Sequence, residues 1–297
     1  MSDFTCEIDI LNDENNELIV DFKGNKEYGF DKSIINSLRR IILSDIPTVS
    51  FRYVDKNELN TLKIIKNTTA LHNEYIMHRL SLIPLYINPS NYSSLLFHLK
   101  VENKGDYPLI KITSEHFQIY PLKEGISFTN ESILIDNYDL EAPLSKKEKE
   151  EVFRPLIIGD KSYYTLITEL KSTQSKQDIQ ELEIYGVPVI SNSNENISFQ
   201  SVSRSSYIYK IDNKLKDSKI NELLEIKGIE DTPENRKDLE LKYSERYYHL
   251  DNKNEPYWYT MAIESQHAYS SIDIIKIGCN ILIEKLNQLD DNLKNID

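Results

Sequence analysis

The chain has 297 residues, 39% hydrophobic and 10% aromatic, which suffices for one large or two modest cores and excludes wholesale disorder. A formal net charge of −13 excludes a general nucleic-acid-binding surface, which needs clustered Lys and Arg to displace counterions from phosphates. The two cysteines, Cys6 and Cys279, cannot supply a disulfide framework, an iron–sulfur cluster or a three- or four-thiolate zinc site.

The N-terminal MSDFTCEIDI has neither the basic nor the continuous apolar region of a signal peptide, and no run approaches the ~18 apolar residues of a spanning helix. An intracellular chain without membrane contact is therefore expected. Residues 4–11 alternate Phe4, Cys6, Ile8 and Ile10 with polar residues, and Leu18, Val20 and Phe22 alternate again after a polar turn. This predicts a hairpin with one buried face.

The stretch Asp31–Pro47, DKSIINSLRRIILSDIP, predicts a short helix with Asp31 as N-cap and a stop near Ser44 or Asp45, since Pro47 disfavours helical geometry at Ile46. At 3.6 residues per turn, Ile34, Ile35, Leu38, Ile41 and Ile42 form one apolar stripe, with Asn36, Ser37, Arg39 and Arg40 off it and Leu43 roughly opposite. Taken alone, this is an amphipathic helix on a core with two solvated arginines.

Val49, Phe51 and Tyr53 predict a third strand, and residues 67–83 predict a helix-like segment ended by Pro84, with Ala70, Leu71, Tyr75, Leu80 and Leu82 as its apolar positions. Residues 86–154 carry short strand-like runs at 95–101, 109–113, 116–122 and 133–135, which predict a small, mostly β insertion. The charge run 146–151 predicts a solvated linker or short helix. Strand patterns return at 163–170, 181–190, 206–211 and 257–264. Between the last two, residues 214–246 are charged, with one helical run at Leu223 and Leu224 and a second started by Thr232 and Pro233.

Ser270 and Asp273 form a capping-box-like pair before a last helix, roughly 271–289. That helix carries two stripes: Ile275, Cys279, Leu282, Ile283, Leu286 and Leu289 on one side, Ile274, Ile277 and Ile281 on another. One core needs one stripe, so the second has to be buried by something else.

Catalytic signatures are absent. There is no phosphate-cradling glycine loop, no Ser elbow and no cysteine-nucleophile motif. His72, Glu74 and His78 sit close together, but the histidines are six apart rather than four, so they do not share the helix face that a zincin site needs. They read as polar contacts that fix a loop and helix.

Two stretches carry a resemblance. Asn36, Ser37, Leu38, Arg39, Arg40, Leu43, Ser44, Ile46 and Pro47 match an N-S-L-R-R-x-x-L-S-x-I-P run. Asn67, Thr68, Leu71, Glu74, Tyr75, Ile76, His78, Arg79, Leu80, Leu82, Ile83, Pro84 and Leu85 match a second signature. Together they resemble the assembly-platform component of multisubunit DNA-dependent RNA polymerases, the family of the eukaryotic third subunit, its archaeal counterpart and the bacterial α N-terminal domain.

The resemblance implies an α+β fold. A discontinuous dimerisation domain, an antiparallel sheet plus two helices from residues 1–54 and 155–297, would hold an inserted, mostly β domain at 55–154. It implies a non-catalytic subunit that heterodimerises with a smaller paralogous subunit, docks the second-largest and largest catalytic subunits, and meets small assembly subunits, without direct nucleic-acid binding. Residues implied at these interfaces are Ile34, Asn36, Leu38, Arg39, Arg40, Ile41, Ile42, Leu43, His78, Arg79, Ile274, Ile277, Ile281, Leu282 and Leu286. The apolar ones would divide between core and dimer seam, and the arginines would grip a large subunit through their planar donor forks.

Many relatives place four cysteines in the insertion for zinc, or carry an iron–sulfur domain. This chain lacks them, so no metal or other cofactor is expected. A single N-S-L-R-R-type helix implies the form not fused to its smaller partner. The Asn-, Ile- and Lys-rich composition suits a viral, plasmid-borne or AT-rich origin, with a nuclear location, or a cytoplasmic or virion one if viral. The competing readings are a stand-alone enzyme with an unrecognised site in the β insertion and a dimeric scaffold unrelated to transcription.

Overall fold

A computed structural model describes residues 6–14, 16–27, 29–54, 60–105, 107–124, 135–172, 179–243 and 247–294. The chain divides into two units: residues 1–43, 202–265 and 270–297 form the first, residues 44–201 and 266–269 the second.

The first unit is built on a four-stranded antiparallel sheet in the order β1 (Glu7–Glu14), β2 (Glu17–Lys23), β14 (Trp258–Ser265), β13 (Val202–Tyr209). The period-two pattern sets its buried face. Leu18, Val20 and Phe22 of β2 and Tyr259, Met261 and Ile263 of β14 are all at most 4% exposed. Helix α1 (Lys32–Ser44) begins as the sequence predicts, with the Ser33 N–H donating to Asp31 Oδ1 at 2.6 Å. Helix α6 (Ser271–Lys294) begins with the expected reciprocal pair. The Asp273 N–H donates to Ser270 Oγ at 3.1 Å and that hydroxyl donates back to Asp273 Oδ2 at 2.7 Å. It runs beyond the predicted end at 289.

On the opposite sheet face Asp21 is only 3% exposed. It accepts from Lys210 Nζ at 2.8 Å, Trp258 Nε1 at 3.1 Å and Thr260 Oγ1 at 2.6 Å. Burial pushes its carboxyl up, but these three donors outweigh that and hold it below the ordinary aspartate range. Residues 214–246 hold two helices, α4 (Asn213–Lys227) and α5 (Pro233–Tyr243), which bury Ile220, Leu224 and Leu239 against each other. Asp212 caps α4, Gly228 ends it in the left-handed conformation at φ 57°, and α5 starts at Pro233 as predicted.

The second unit is mostly β. A four-stranded antiparallel sheet runs β4 (Leu62–Asn67), β11 (Gln180–Gly186), β5 (Leu95–Asn103), β7 (Phe117–Pro121). Beside it are the pairs β6 (Leu109–Thr113) with β10 (Leu166–Lys171), β3 (Thr48–Ser50) with β12 (Val189–Ser191), and β8 (Leu156–Ile158) with β9 (Lys161–Tyr163). Its core gathers Phe51, Phe97, Phe117 and Phe153 with Ile76 and Leu80 from α2 (Asn73–Ser81). The charge run is the short helix α3 (Lys146–Phe153), held at its start by a Ser145–Glu148 capping box. Of the run expected at 133–135, only Ile135 lies among the described residues.

The α+β class stands, with the first unit assembled from both ends of the chain. The unit boundaries differ from those expected at 54/55 and 154/155. They fall at 43/44 and 201/202 because β10, β11 and β12 pair with β6, β4, β5 and β3. Strand periodicity marks these segments as strands but carries no information on which sheet they join.

Candidate protein–protein interface

Helix α1 divides its residues cleanly. Ile35, Leu38, Ile41 and Ile42 are at most 5% exposed, and Leu38 and Ile42 face Gly278 of α6. Ile34 departs from the expected stripe and stands 41% exposed near the helix start. Arg40 is exposed, whereas Asn36, Arg39 and Leu43 are half-buried. Arg39 is not a free solvated charge, because its Nε donates to Asn36 Oδ1 at 3.1 Å, one turn back. That bond holds the guanidinium against the helix and fixes the direction of its remaining donors.

Helix α6 turns Ile274 and Gly278 inward, both fully or nearly buried. Ile274 therefore presents no surface, as is also true of Leu38, Ile41 and Ile42. Ile277, Ile281 and Leu282 are half-buried. Burial also pushes up the Cys279 thiol. Past Leu282 the helix sheds its cover: Ile283, Leu286, Leu289 and Leu293 are each at least 55% exposed. Ile275, Cys279, Leu282, Leu286, Leu289 and Leu293 follow one another at alternating steps of four and three, the heptad spacing of a helix–helix seam. Leu293 lies beyond the helix end predicted at 289, and the heptad step is the signal that would have reached it.

In the second unit, α2 buries Ile76 and Leu80 and exposes His78 and Arg79. The apolar face expected here is corrected by the structure, for Tyr75 is 64% and Leu82 48% exposed. Glu74, Tyr75, His78, Arg79 and Leu82 thus share an outward surface. The His78 ring packs edge-on to Tyr53 at 6.2 Å, and Arg79 Nη2 donates to the Leu166 carbonyl at 3.1 Å.

The helix starts later than residue 67 because Asn67 and Thr68 do other work. Asn67 Nδ2 donates to the Leu71 carbonyl at 2.8 Å and Asn73 Oδ1 at 2.7 Å, and its Oδ1 accepts from the Thr69 N–H at 2.9 Å. Thr68 Oγ1 accepts from the Glu181 N–H at 2.7 Å. The Asn-Thr pair of the second signature therefore ties the end of β4 to β11 and to the entry of α2.

A cavity of about 250 Å³ in the second unit is lined by Ser114, Glu115, Gln118, Lys149, Phe153 and Tyr164. Lys149 Nζ is committed to the carbonyls of Glu115 and Phe117 and the Tyr164 hydroxyl to Glu150 Oε1, so these groups brace backbone and helix. Among the described residues, no helix is long and apolar enough to cross a membrane.

Comparison with known proteins identifies the family. A profile of the RNA polymerase Rpb3/Rpb11 dimerisation domain matches residues 26–286. The chain is 26% identical over 324 aligned residues to DNA-directed RNA polymerases I and III subunit rpac1 of Dictyostelium discoideum, covering 97% of this chain and 82% of that protein. It is 22% identical over 281 residues to DNA-directed RNA polymerase subunit Rpo3 of Methanosphaera stadtmanae, covering 88% and 90%. The human RNA polymerases I and III subunit RPAC1 is 29% identical over 112 residues, covering 38% of this chain and 27% of that protein. The chain belongs to the RNA polymerase Rpb3/Rpb11 dimerisation-domain family.

Proposed function

We propose that this chain is a non-catalytic platform subunit of a DNA-directed RNA polymerase. It pairs with a smaller paralogous subunit through α1 and α6 and docks the two large catalytic subunits and small assembly subunits. The observation that carries the reading is the exposed heptad seam of α6. Leu286, Leu289 and Leu293, each 55–58% exposed, continue the line of half-buried Leu282. A lone surface helix of a monomer has no reason to keep such a ladder, and a partner helix would bury it.

The family membership and the polymerase subunits among its relatives support the same reading. The exposed α2 face at Tyr75, His78, Arg79 and Leu82, and Arg39 and Arg40 of α1, are the surfaces assigned to large subunits. Aromatic and arginine side chains suit such anchors because they combine apolar area with directed donors. The catalytic site would lie on the large subunits, and the location would be intracellular, nuclear in a cellular eukaryote.

The test is purification of the tagged chain from its own cells. Recovery of a short paralogue and two very large subunits in stoichiometric amounts is the expected result. Recovery of the chain alone, as a stable monomer, would refute the platform role.

A further inference from the structure

Strand β1 is an edge strand: it pairs with β2 on one side, and among the described residues no strand pairs with the other. Natural edges are guarded by shortness, bulges, proline or charged side chains, lysine above all; the charges of β1 are all acidic and its bulge lies past Ile10. The strand is eight residues long, reads EIDILNDE, and contains neither Lys, Arg nor Pro. Its side facing with Val20 and Phe22 carries Ile10 and Ile8, 55% and 57% exposed. Its other side carries Glu7 and Asp9. Asp9 stands directly across from Asp21, a like-charge pairing that destabilises a ladder. The neighbouring lysines relieve it only in part: Lys23 Nζ, bonded to Glu7 Oε2 at 2.6 Å, also attracts Asp9, and Lys210 Nζ is bonded to Asp21 Oδ2 at 2.8 Å.

We infer that β1 accepts an added strand from another polypeptide, an extended segment in which apolar residues alternate with Lys or Arg. Its apolar side chains extend the layer begun by Ile8 and Ile10, its cations lie beside Asp9, and its backbone satisfies the open edge. The register break between Ile10 and Asn12 ends the regular alternation, so the added strand follows residues 7–10. This edge adjoins the helix seam proposed above, Cys6 being within electrostatic reach of Cys279, but its occupant is a basic extended segment, not a helix.

The test is hydrogen exchange of the peptide spanning residues 6–14, compared between the free chain and the assembly purified on the tagged chain. In the assembly, exchange there should slow at least tenfold, and Asp9→Lys should restore fast exchange. Asp9→Asn should give an intermediate result, confirming that charge and not misfolding is responsible. An assembly in which residues 6–14 exchange as in the free chain refutes the added strand and leaves the helix seam standing. Protection undiminished by Asp9→Lys refutes the basic occupant. A chain recovered with no partner refutes both readings.

Discussion

Gly278 of α6 sits directly over Ile42 of α1: a Cβ built on Gly278 would lie 3.1 Å from Ile42 Cγ1 and equally close to Leu38 Cδ1. The two helices therefore approach as closely as a bare backbone allows. Alanine at 278 gains about 1 kcal/mol of helix propensity over glycine and loses a similar amount to crowding. Gly278→Ala should leave stability nearly unchanged. Gly278→Leu should cost about 1–3 kcal/mol or more and splay the helices. The single tryptophan, Trp258, lies in the same unit, so its fluorescence in a denaturant titration reads this directly.

The Asp21 cluster makes a pH-dependent prediction. Its carboxyl is held below its ordinary value of 3.8, so its contribution is complete above that value and is lost as pH falls through the lower folded value. Asp21→Ala leaves Lys210 without its partner. Because Lys210 is one-third exposed, the cost should fall short of a fully buried pair, about 2–3 kcal/mol at neutral pH. The gap between wild type and variant should narrow in acid, below the folded carboxyl's range.

His267, 7% exposed and with an Nδ1 that has no hydrogen-bond partner among the described residues, also costs stability in acid, but through burial within the second unit and at a higher pH. Burial pushes its pKa below 6.5, against the weaker effect of backbone groups at Leu85 and Gln200. The unfolded chain then binds a proton that the folded chain refuses, so stability falls as pH drops through 6.5. His267→Leu should flatten that dependence, measured as the urea midpoint by circular dichroism from about pH 8 to about pH 5.

The helix seam separates assembly from folding. Leu286→Glu with Leu289→Glu changes only exposed side chains, so the free chain's stability should move by about 0.5 kcal/mol or less per site. Recovery of the small paralogue should fall at least tenfold. Arg39→Ala with Arg40→Ala should keep the pair and lose a large subunit. If the melting temperature of the free chain drops sharply instead, the arginines serve the fold, the bond from Arg39 to Asn36 included.

Much of the local structure was legible because its causes are local. Asp31 and Ser270 cap their helices through their own neighbouring N–H groups, Pro47 and Pro84 stop α1 and α2, and Thr232-Pro233 starts α5. The period-two runs of β2 and β14 carry their buried face in the spelling. The family could be read from two motifs whose spacing few unrelated chains would share, and the matched profile over residues 26–286 agrees.

Pairing across the sequence was decided by tertiary structure. Residues 156–201 join the second unit because β11 finds β4 and β5, partners far away in the chain, as in the bond from Lys100 to Glu183, which no local pattern specifies. The same holds for the faces of the helices. The sequence by itself determined that α6 carries more apolar surface than one core needs. Only the fold decided which stripe is buried: the close crossing at Gly278 turns Ile274 inward, and Leu286, Leu289 and Leu293 extend beyond the sheet's cover into solvent. A helix's stripe is set by its residues, but the direction it faces is set by whatever the rest of the chain packs against it.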